Sequence, residues 1–582
     1  MSETKTESNP ILDSALSHEF QPYRDEKGVK RVVAFGEYSH KCPTYVTRIP
    51  PCTTGCPAGE DIRGFHNLLT GVEKSDDIWE AAWRRIVDKN PFPAVMGRVC
   101  PHPCETACNR VMQDEAVGIN SVEHAIGDYG IAHNLKLEPP QGATGKHIAV
   151  IGAGPAGLSA AYQLTRKGHQ VTVFDERLEP GGMMRYGIME YRVGREVLDA
   201  EISRILALGV KTRMNTRVGS DITLEQLKEQ YDAIFVGVGA QKGAGLPVPG
   251  FDASEDATNA IDLLADYEAN GLDMHIGRNV IVVGDGDVSM DAARLAVRMG
   301  VPATLLSAVP RNEMSCSAVE YEDAVKEGTV MEELISVSEV FTKDGKVTGV
   351  RCVKMEKKEQ GEEGFDSPVP FFRYKPVPGS EFEMPCDMIV AAIGQRTDMG
   401  GLESVVGDGP FLHVEKDFRI KGEEKVFGGG DAIRIELITT AVGHGRKAAD
   451  AIDNFLKGVP APHQGFQDVI GFDKLYTYYF KESAQLERPH LEFDDIKGNF
   501  EETLKSLDPE SVIEESKRCM SCGLCFECRQ CMIYCPQEAI SYFKNNGVGE
   551  VMFTDYNKCV GCHICAQVCP TGFIHMGMGE DL

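Results

Sequence analysis

Two runs of cysteine carry the most explicit chemistry in the sequence: Cys525-x2-Cys528-x2-Cys531-x3-Cys535-Pro536 and Cys559-x2-Cys562-x2-Cys565-x3-Cys569-Pro570. This is the bacterial two-cluster ferredoxin spacing, in which the fourth cysteine of each run ligates the other cluster. Cys525, Cys528, Cys531 and Cys569 are therefore expected to hold one 4Fe-4S cluster, and Cys559, Cys562, Cys565 and Cys535 the other. Cys519 and Cys522 extend the ladder by two steps; a separate pair, a metal site and a redox-labile dithiol are all open to them. A second cysteine group comprises Cys42, Cys52, Cys56, Cys100, Cys104 and Cys108. Without an export signal, such spacing points to metal or redox chemistry rather than structural disulfides. Zinc uses similar four-thiolate spacings, but proline beside Cys56, Cys100 and Cys104 favours iron–sulfur clusters. Cys316, Cys352 and Cys386 stand alone and read as small buried hydrophobes.

Electrons entering such clusters need a donor, and the stretch Val150-Ile-Gly152-Ala-Gly154-Pro155-Ala156-Gly157 supplies a place for one. It follows an apolar strand, His147 to Ile151, and opens a helix over Leu158 to Lys167. A second strand, Gln170 to Phe174, ends in Asp175 and Glu176. The first glycine makes the tight turn, the second lets backbone approach a pyrophosphate, the third lets helix and strand pack, and the acid accepts from a ribose hydroxyl. The turn Gly181-Gly182-Met183-Met-Arg185 can bring backbone against a flat ring, and a strand from Ala233 to Val238 ends in Gly239. A second, weaker fingerprint runs Gly284-Asp-Gly286-Asp287-Val288-Ser289, before a helix over Met290 to Met299 and a strand from Ala303 to Leu306 ending at Ser307. Two such units imply a flavin and a nicotinamide sharing a cleft. The chain returns with Met388 to Gly394 and with Gly430-Asp431. There Asp431 can accept from a hydroxyl, while the amides of Thr440, Ala441 and Val442 aim a positive helix end at a developing anion. The flavin unit is thus split around the nicotinamide unit.

The elements fall into a multidomain α/β arrangement. Residues 1–140 form a helical N-terminal iron–sulfur domain whose first forty residues read as an arm, with Trp79 and Trp83 in its core. The two Rossmann-like nucleotide-binding domains follow, the second inserted in the first: flavin 141–275, nicotinamide 276–385, flavin again 386–456. A linker, 457–510, is expected to pack through Tyr476, Tyr478, Tyr479 and Phe480, and 511–582 is a bacterial-type ferredoxin domain. The stretch 354–366 reads as a hairpin tip or surface loop. Sixty basic against 88 acidic residues give a net charge of −28, which argues against a surface that tracks phosphodiesters. No apolar run of about 18 residues is present, and the polar start is not an export signal. A cytoplasmic protein without an integral membrane segment is expected.

Laid end to end, these motifs resemble the small-subunit family of bacterial glutamate synthase, whose fold also occurs in the N-terminal half of dihydropyrimidine dehydrogenase. The resemblance spans 42–455 and rests on Cys52-x3-Cys56-Pro, Asn90-Pro-Phe-Pro, Gly97-Arg-Val-Cys100-Pro, the first fingerprint, Gly181-Gly-Met-Met-Arg-Tyr-Gly187, Met290-Asp-Ala-Ala-Arg294 and Gly429-Gly-Asp431. Members with a ferredoxin tail also carry the Arg518-Cys-Met-Ser-Cys-Gly start. The Lys41 to Cys52 segment is similar to that of the DsrL-type branch, which exchanges electrons with siroheme dissimilatory sulfite reductase in sulfur metabolism. The resemblance implies FAD, NAD(H) and four 4Fe-4S clusters. It implies FAD residues at Gly152, Gly154, Pro155, Ala156, Gly157, Asp175, Glu176, Gly182, Met183, Arg185, Gly239, Gly430, Asp431, Thr440, Ala441 and Val442. It implies NAD residues at Gly284, Gly286, Asp287, Val288, Ser289, Ser307, Arg311 and Gly394. No acid–base or nucleophilic residue is needed. The expected partner is a redox protein, siroheme sulfite reductase or ferredoxin; nucleic acid is not expected, and a homodimer is allowed. The same motifs are compatible with an NAD(P)H:ferredoxin oxidoreductase, a glutamate synthase-type electron donor or an electron-bifurcating subunit.

The sequence departs from the family in two places. Members usually hold two N-terminal clusters on about eight ligands, whereas this region has six cysteines. The family pattern places Glu123 with Cys56, Cys100 and Cys104, which leaves Cys42, Cys52 and Cys108 for the other cluster, one ligand short; His40, Thr44, Thr47 or solvent could complete it. Where NADPH-specific members have Tyr-Arg-Arg, this chain has Ser307-Ala308-Val309, lacking the arginine fork that suits a 2′-phosphate. Steady-state assays with each nucleotide are therefore expected to give a kcat/KM ratio at least about tenfold in favour of NADH, a difference of about 1.4 kcal/mol; equal use would overturn that reading.

Overall fold

The computed structural model describes residues 39–140, 142–407, 409–460, 467–493, 498–542 and 552–578, together with two-residue strands at 23–24 and 30–31. The rest of the N-terminal arm lies outside the described residues.

The first nucleotide unit is a five-stranded parallel sheet in the order 426–428, 233–236, 147–151, 170–174, 211–213. Its central strands, His147–Ile151 and Ala233–Val236, are near-continuous apolar runs, as parallel strands covered on both faces must be. Val426–Gly428 joins this sheet after the second unit has been traversed, so the split is real in the hydrogen bonding. The helix over the first turn runs Pro155–Arg166, and Ile438–Lys457 packs against it, approaching so closely that a Cβ on Gly445 would stand 2.1 Å from Ala156 O.

The second unit has the parallel order 330–333, 303–307, 280–283, 388–391, 257–259. It therefore reaches beyond the expected 276–385 at both ends. Ala257–Asn259 and Met388–Ala391 are apolar or neutral enough to have been read with the flavin halves, but their ladders belong to the second sheet. The helix over its turn is Asp287–Arg298, three residues earlier than the periodicity indicates. Beyond it, Ile335–Lys343 and Lys346–Lys357 form an antiparallel ribbon that leads into exposed loop at 358–369.

In the N-terminal unit Asp77 caps the helix Ile78–Val87 by accepting from Trp79 N and Glu80 N, at 3.0 and 2.9 Å. Trp83 is fully buried and Trp79 stacks on Tyr129. Helices Pro93–Val99 and Ile119–Ala132 cross where Gly97 meets His124 Cα and Gly127 meets Ala94 Cα; a Cβ on either glycine would come within 2.5 Å of backbone. Residues 467–493 and 498–507 form a strap, with Arg488 donating to Gly97 O and Glu502 accepting from both Arg98 and Gly194 N. Tyr479 and Phe480 pack on Phe526 of the tail. The tail has two antiparallel ladders, 540–542 with 552–554 and 574–577 with 42–45. Among the described residues no helix is long and apolar enough to cross a membrane.

A buried ionic knot joins the two nucleotide units and the strap. Arg294 donates to Glu320 and Glu327, and Arg298 to Glu327 and to Asn499 O. Arg192 pairs with Asp291 and Glu320. Both arginines of the helix stack over the Tyr191 ring, at 4.7 and 4.2 Å. Removing one partner leaves uncompensated buried charge, so Arg294→Ala is expected to cost about 3–5 kcal/mol, read as an earlier unfolding transition and faster hydrogen exchange in 287–327.

Candidate functional site

The first fingerprint turn is built by exclusion. Gly152, at φ +103°, would drive a Cβ to 2.3 Å from Gly237 O, and a Cβ on Gly157 would lie 1.9 Å from Gly152 O. Gly154 is different: the only heavy atom near an added Cβ is Gly182 Cα at 3.7 Å. That face is open to a cleft. Among the expected FAD residues Gly152, Gly154, Pro155, Ala156, Asp175, Glu176, Gly182, Met183, Gly239, Gly430, Asp431 and Ala441 line it. An elongated cleft with a bare glycine edge and the free amides of a proline-started helix fits a dinucleotide pyrophosphate.

Four expected residues do not line the cleft, for identifiable reasons. Gly157 packs behind the turn. The Arg185 guanidinium is spent on Asp199, Glu268 and Pro180 O. Val442 is buried, its carbonyl accepting from Ser159 Oγ. Thr440 N and Ala441 N donate to Leu437 O at 2.9 and 3.1 Å, so the helix presents Ile438 and Ala441 to the cleft rather than the amides of 440–442. Asp175 accepts from Ala153 N at 2.6 Å and Arg177 N at 2.8 Å, staking the two strand ends together as well as facing the cleft. Burial raises its carboxyl, and that of Asp431, which is pushed up to about 6. Arg217, which pairs with Glu176 and Asp398, was missed by sequence reasoning; it follows a three-residue exposed strand and no motif marks it.

At the second turn, a Cβ on Gly284 would stand 2.3 Å from Ala392 O. Ser289 replaces the third glycine, is fully buried and donates to Gly286 O. Asp287 accepts from Ser317 N at 2.8 Å, so the acid in the middle position ties down the following loop. Val288 packs with the second core. The Ser307 hydroxyl is used within its own turn, bonded to Val309 N and O, and Arg311 stacks over Tyr321 at 4.0 Å. Gly394 O accepts from Ala244 N in the ribbon Lys242–Gly243 with Gln395–Arg396, which connects the two units.

The cysteines gather into four groups. Cys525, Cys528, Cys531 and Cys569 line one small cavity; Cys535, Cys559, Cys562 and Cys565 line another. Each cavity is thus bounded by the four thiols the ferredoxin run assigns together. In the N-terminal unit Cys56, Cys100, Cys104 and Glu123 converge: burial lifts the Cys56 thiol to about 12, with Glu60 and Glu123 adding to it, Cys100 is raised by burial and by Glu123, and Cys104 by burial and by Cys56 and Glu105. Glu60, which sequence reasoning missed, is buried beside Glu123, both accepting from Asn90 Nδ2 at 2.9 and 3.1 Å. Burial pushes Glu60 up to about 7. The expected trio of Cys42, Cys52 and Cys108 is divided. Cys42 lies on the strand paired to 574–577 and hydrogen-bonds Cys559, whereas Cys52 and Cys108 face Cys519 and Cys522. Among the described residues no group of three His, Cys, Asp or Glu is arranged to hold a single metal ion.

One helix connects these sites. Ile438–Lys457 lines the cleft with Ile438 and Ala441; Gly443 then abuts the carbonyl of Pro57, the residue after Cys56, and Lys447 lies within electrostatic reach of Cys56. Six residues from Ala441 to Lys447 span about 9 Å.

Comparison with known proteins gives three family matches. Residues 146–445 match the pyridine nucleotide-disulphide oxidoreductase model, 30–135 the dihydropyrimidine dehydrogenase domain II, 4Fe-4S cluster model, and 518–573 the 4Fe-4S dicluster domain. The NADP(+)-dependent formate dehydrogenase subunit beta of Moorella thermoacetica is 33% identical over 508 residues, 81% of this chain and 70% of that one. The NADPH-Fe(3+) oxidoreductase subunit beta of Geobacter sulfurreducens is 32% identical over 81% of this chain and 75% of its own length. The glutamate synthase [NADPH] small chain of Bacillus subtilis is 31% identical over 70% of this chain and 89% of its own.

The glycines provide a test of the cleft. Gly154→Ala meets only ordinary contact in the protein, so it is expected to leave apo stability unchanged while weakening FAD binding at least about tenfold. Gly157→Ala collides with backbone and is expected to cost about 3 kcal/mol along with the flavin. Flavin absorbance per chain and thermal unfolding measure both; retained flavin in Gly154→Ala would remove the cleft from consideration.

Proposed function

Because the chain belongs to the pyridine nucleotide-disulphide oxidoreductase family, as a glutamate synthase small-subunit-like FAD/NAD(P) oxidoreductase with iron–sulfur units at both ends, we propose that it moves electrons between NADH and a protein acceptor through FAD and four 4Fe-4S clusters. The acceptor is siroheme dissimilatory sulfite reductase, and the work belongs to cytoplasmic sulfur metabolism. A flavin accepts a hydride pair and exchanges electrons singly with clusters. The chain's own part is to hold and aim: Gly154 and the start of Pro155–Arg166 receive the pyrophosphate, Asp175, Glu176 and Asp431 the hydroxyl groups, and the turn at Gly284–Ser289 the nicotinamide dinucleotide.

The observation that carries the reading is the helix Ile438–Lys457, which borders the flavin cleft at one end and reaches Cys56 about two turns later. Cys52 and Cys56 stand at the two ends of the helical turn Pro51–Gly55, and the tail docks on the same unit, with Arg48 N donating to Gly523 O at 2.9 Å. The tail is therefore joined to the N-terminal cysteine unit, which the helix Ile438–Lys457 meets. This favours one linear route over a bifurcating arrangement, which calls for two routes leaving the flavin separately.

Support for NADH is the spent Ser307 hydroxyl and the single stacked Arg311 in place of an arginine pair. The Moorella and Bacillus relatives are named for NADP(+) and NADPH, so this preference is the chain's own departure. Several relatives are named as subunits or small chains, in keeping with a partner polypeptide, and the 41–52 segment supports a sulfite reductase in particular. Anaerobic co-purification from the native host is expected to bring down a siroheme-absorbing protein that the NADH-reduced chain reduces or that reduces NAD in reverse. Retention of a glutaminase-bearing subunit, or of free ferredoxin alone, would overturn the choice of partner, and failure to reduce a viologen dye with NADH would overturn the electron-transfer reading itself.

A further inference from the structure

The N-terminal unit is short of ligands on its own. With Cys42 beside Cys559, it retains Cys52, Cys56, Cys100, Cys104, Cys108 and Glu123, six donors where two clusters want about eight. The two missing donors come from the other end of the chain. Arg63 donates to Arg48 O and to Cys522 O, at 2.8 and 2.7 Å. The Asn109 amide, next to Cys108, lies 3.7 Å from Cys522 Sγ. Arg110 donates to Arg518 O at 2.7 Å, and Ser521 Oγ bonds Asn67 Oδ1 at 2.6 Å. These bonds turn the Cys519-x2-Cys522 loop onto the thiols of Cys52 and Cys108.

We propose that Cys52, Cys108, Cys519 and Cys522 together ligate one 4Fe-4S cluster, built across the contact between the N-terminal helices and the start of the ferredoxin tail. The inference rests on the reading of the N-terminal unit as a two-cluster domain. Four thiolates are the ordinary ligand set of such a cluster, and each thiol gives up its proton on ligation. The guanidinium groups of Arg63 and Arg110 act on Cys519, so the anionic cluster would sit against two cations. Cys52 lies in the turn Pro51–Gly55 that Cys56 ends, and Cys108 follows Cys104 just past the short helix Pro103–Thr106. Cys522 precedes Cys525 by three residues. The cluster would thus be the joint between the Cys56 group and the ferredoxin pair, closing a continuous relay from the flavin cleft to the tail.

The test is metal content of the anaerobically purified full chain, read without any electron acceptor and so independent of which partner the protein serves. Cys519→Ser and Cys522→Ser are each expected to lose about a quarter of the iron and acid-labile sulfide, about four of sixteen irons, together with one cluster's signal in the reduced EPR spectrum, while retaining FAD. Cys42→Ser is expected to keep this cluster. Full iron in the Cys519 and Cys522 variants, or loss of this cluster in Cys42→Ser alone, would overturn the assignment. If the serine variants do not retain FAD, the unsubstituted chain decides. About twelve irons, or one equivalent of zinc, would overturn the proposal; about sixteen, unchanged in its EPR at this cluster by Cys42→Ser, would uphold it.

Discussion

Arg110 and Arg518 hold the two ends of the chain together. Both are almost wholly buried, and a buried guanidinium is costly unless its charge is paired and most of its donors are met; of the two groups, only Arg518 Nε is left without a hydrogen-bond partner. Arg110 is answered by Asp114, Arg518 O and Lys481 O; Arg518 by Glu515, Ala116 O and Glu115 O. Glu515, fully buried, also accepts from Gly118 N and Leu486 N. Helix Pro509–Ser516, the strap and the turn after Cys108 are therefore one hydrogen-bonded block. Beside it His66, kept neutral by burial that lowers it to about 3, bonds Ser516 Oγ. A neutral imidazole adds no charge to a joint whose charges are already matched.

From that block the architecture runs outward in a fixed sequence of supports. The crossing of Pro93–Val99 with Ile119–Ala132, which only glycine at 97 and 127 permits, sets where Cys100 and Glu123 stand. Helix Ile438–Lys457 lies between the N-terminal unit and the flavin sheet and touches both through small residues. The arginine knot around Tyr191 then fixes the second nucleotide unit to the first and to the strap. Each support is a rigid contact of backbone or buried charge, so distances between neighbouring redox positions are set by the fold rather than by loop motion.

What the sequence made legible were the features whose geometry is local. Gly152 and Gly157 declare a turn because the clash each avoids involves atoms of the same βα unit or its neighbouring strand, while Gly154 leaves the cleft face of that turn bare. The ferredoxin runs are legible for the same reason, down to which thiols share a cavity. Long-range placement was not legible. Nothing near Cys52 or Cys108 indicates that Cys519 and Cys522 will face them, and Cys42, only ten residues from Cys52, goes to another unit because strand pairing with 574–577 takes it there. Ala257–Asn259 and Met388–Ala391 carry no mark of which sheet will pair them. Glu60 and Arg217 have no motif; their roles come from burial beside Glu123 and pairing with Glu176 and Asp398. The amides of 440–442 were misjudged because a helix end can satisfy its own donors, as Leu437 O does here.

The ladder between Cys42–Tyr45 and Ile574–Gly577 imposes an order on biosynthesis. Pro43 faces Met576 across that ladder, so the strand has no partner until 533 further residues (576 − 43) have been polymerised. At about 5–20 residues per second the ribosome takes roughly half a minute to two minutes to supply it. Over that interval Cys42 has been made, while Cys559, beside which it comes to lie, and the strand it pairs with are still to come. The position Cys42 takes beside Cys559 is thus completed only after the tail has been made.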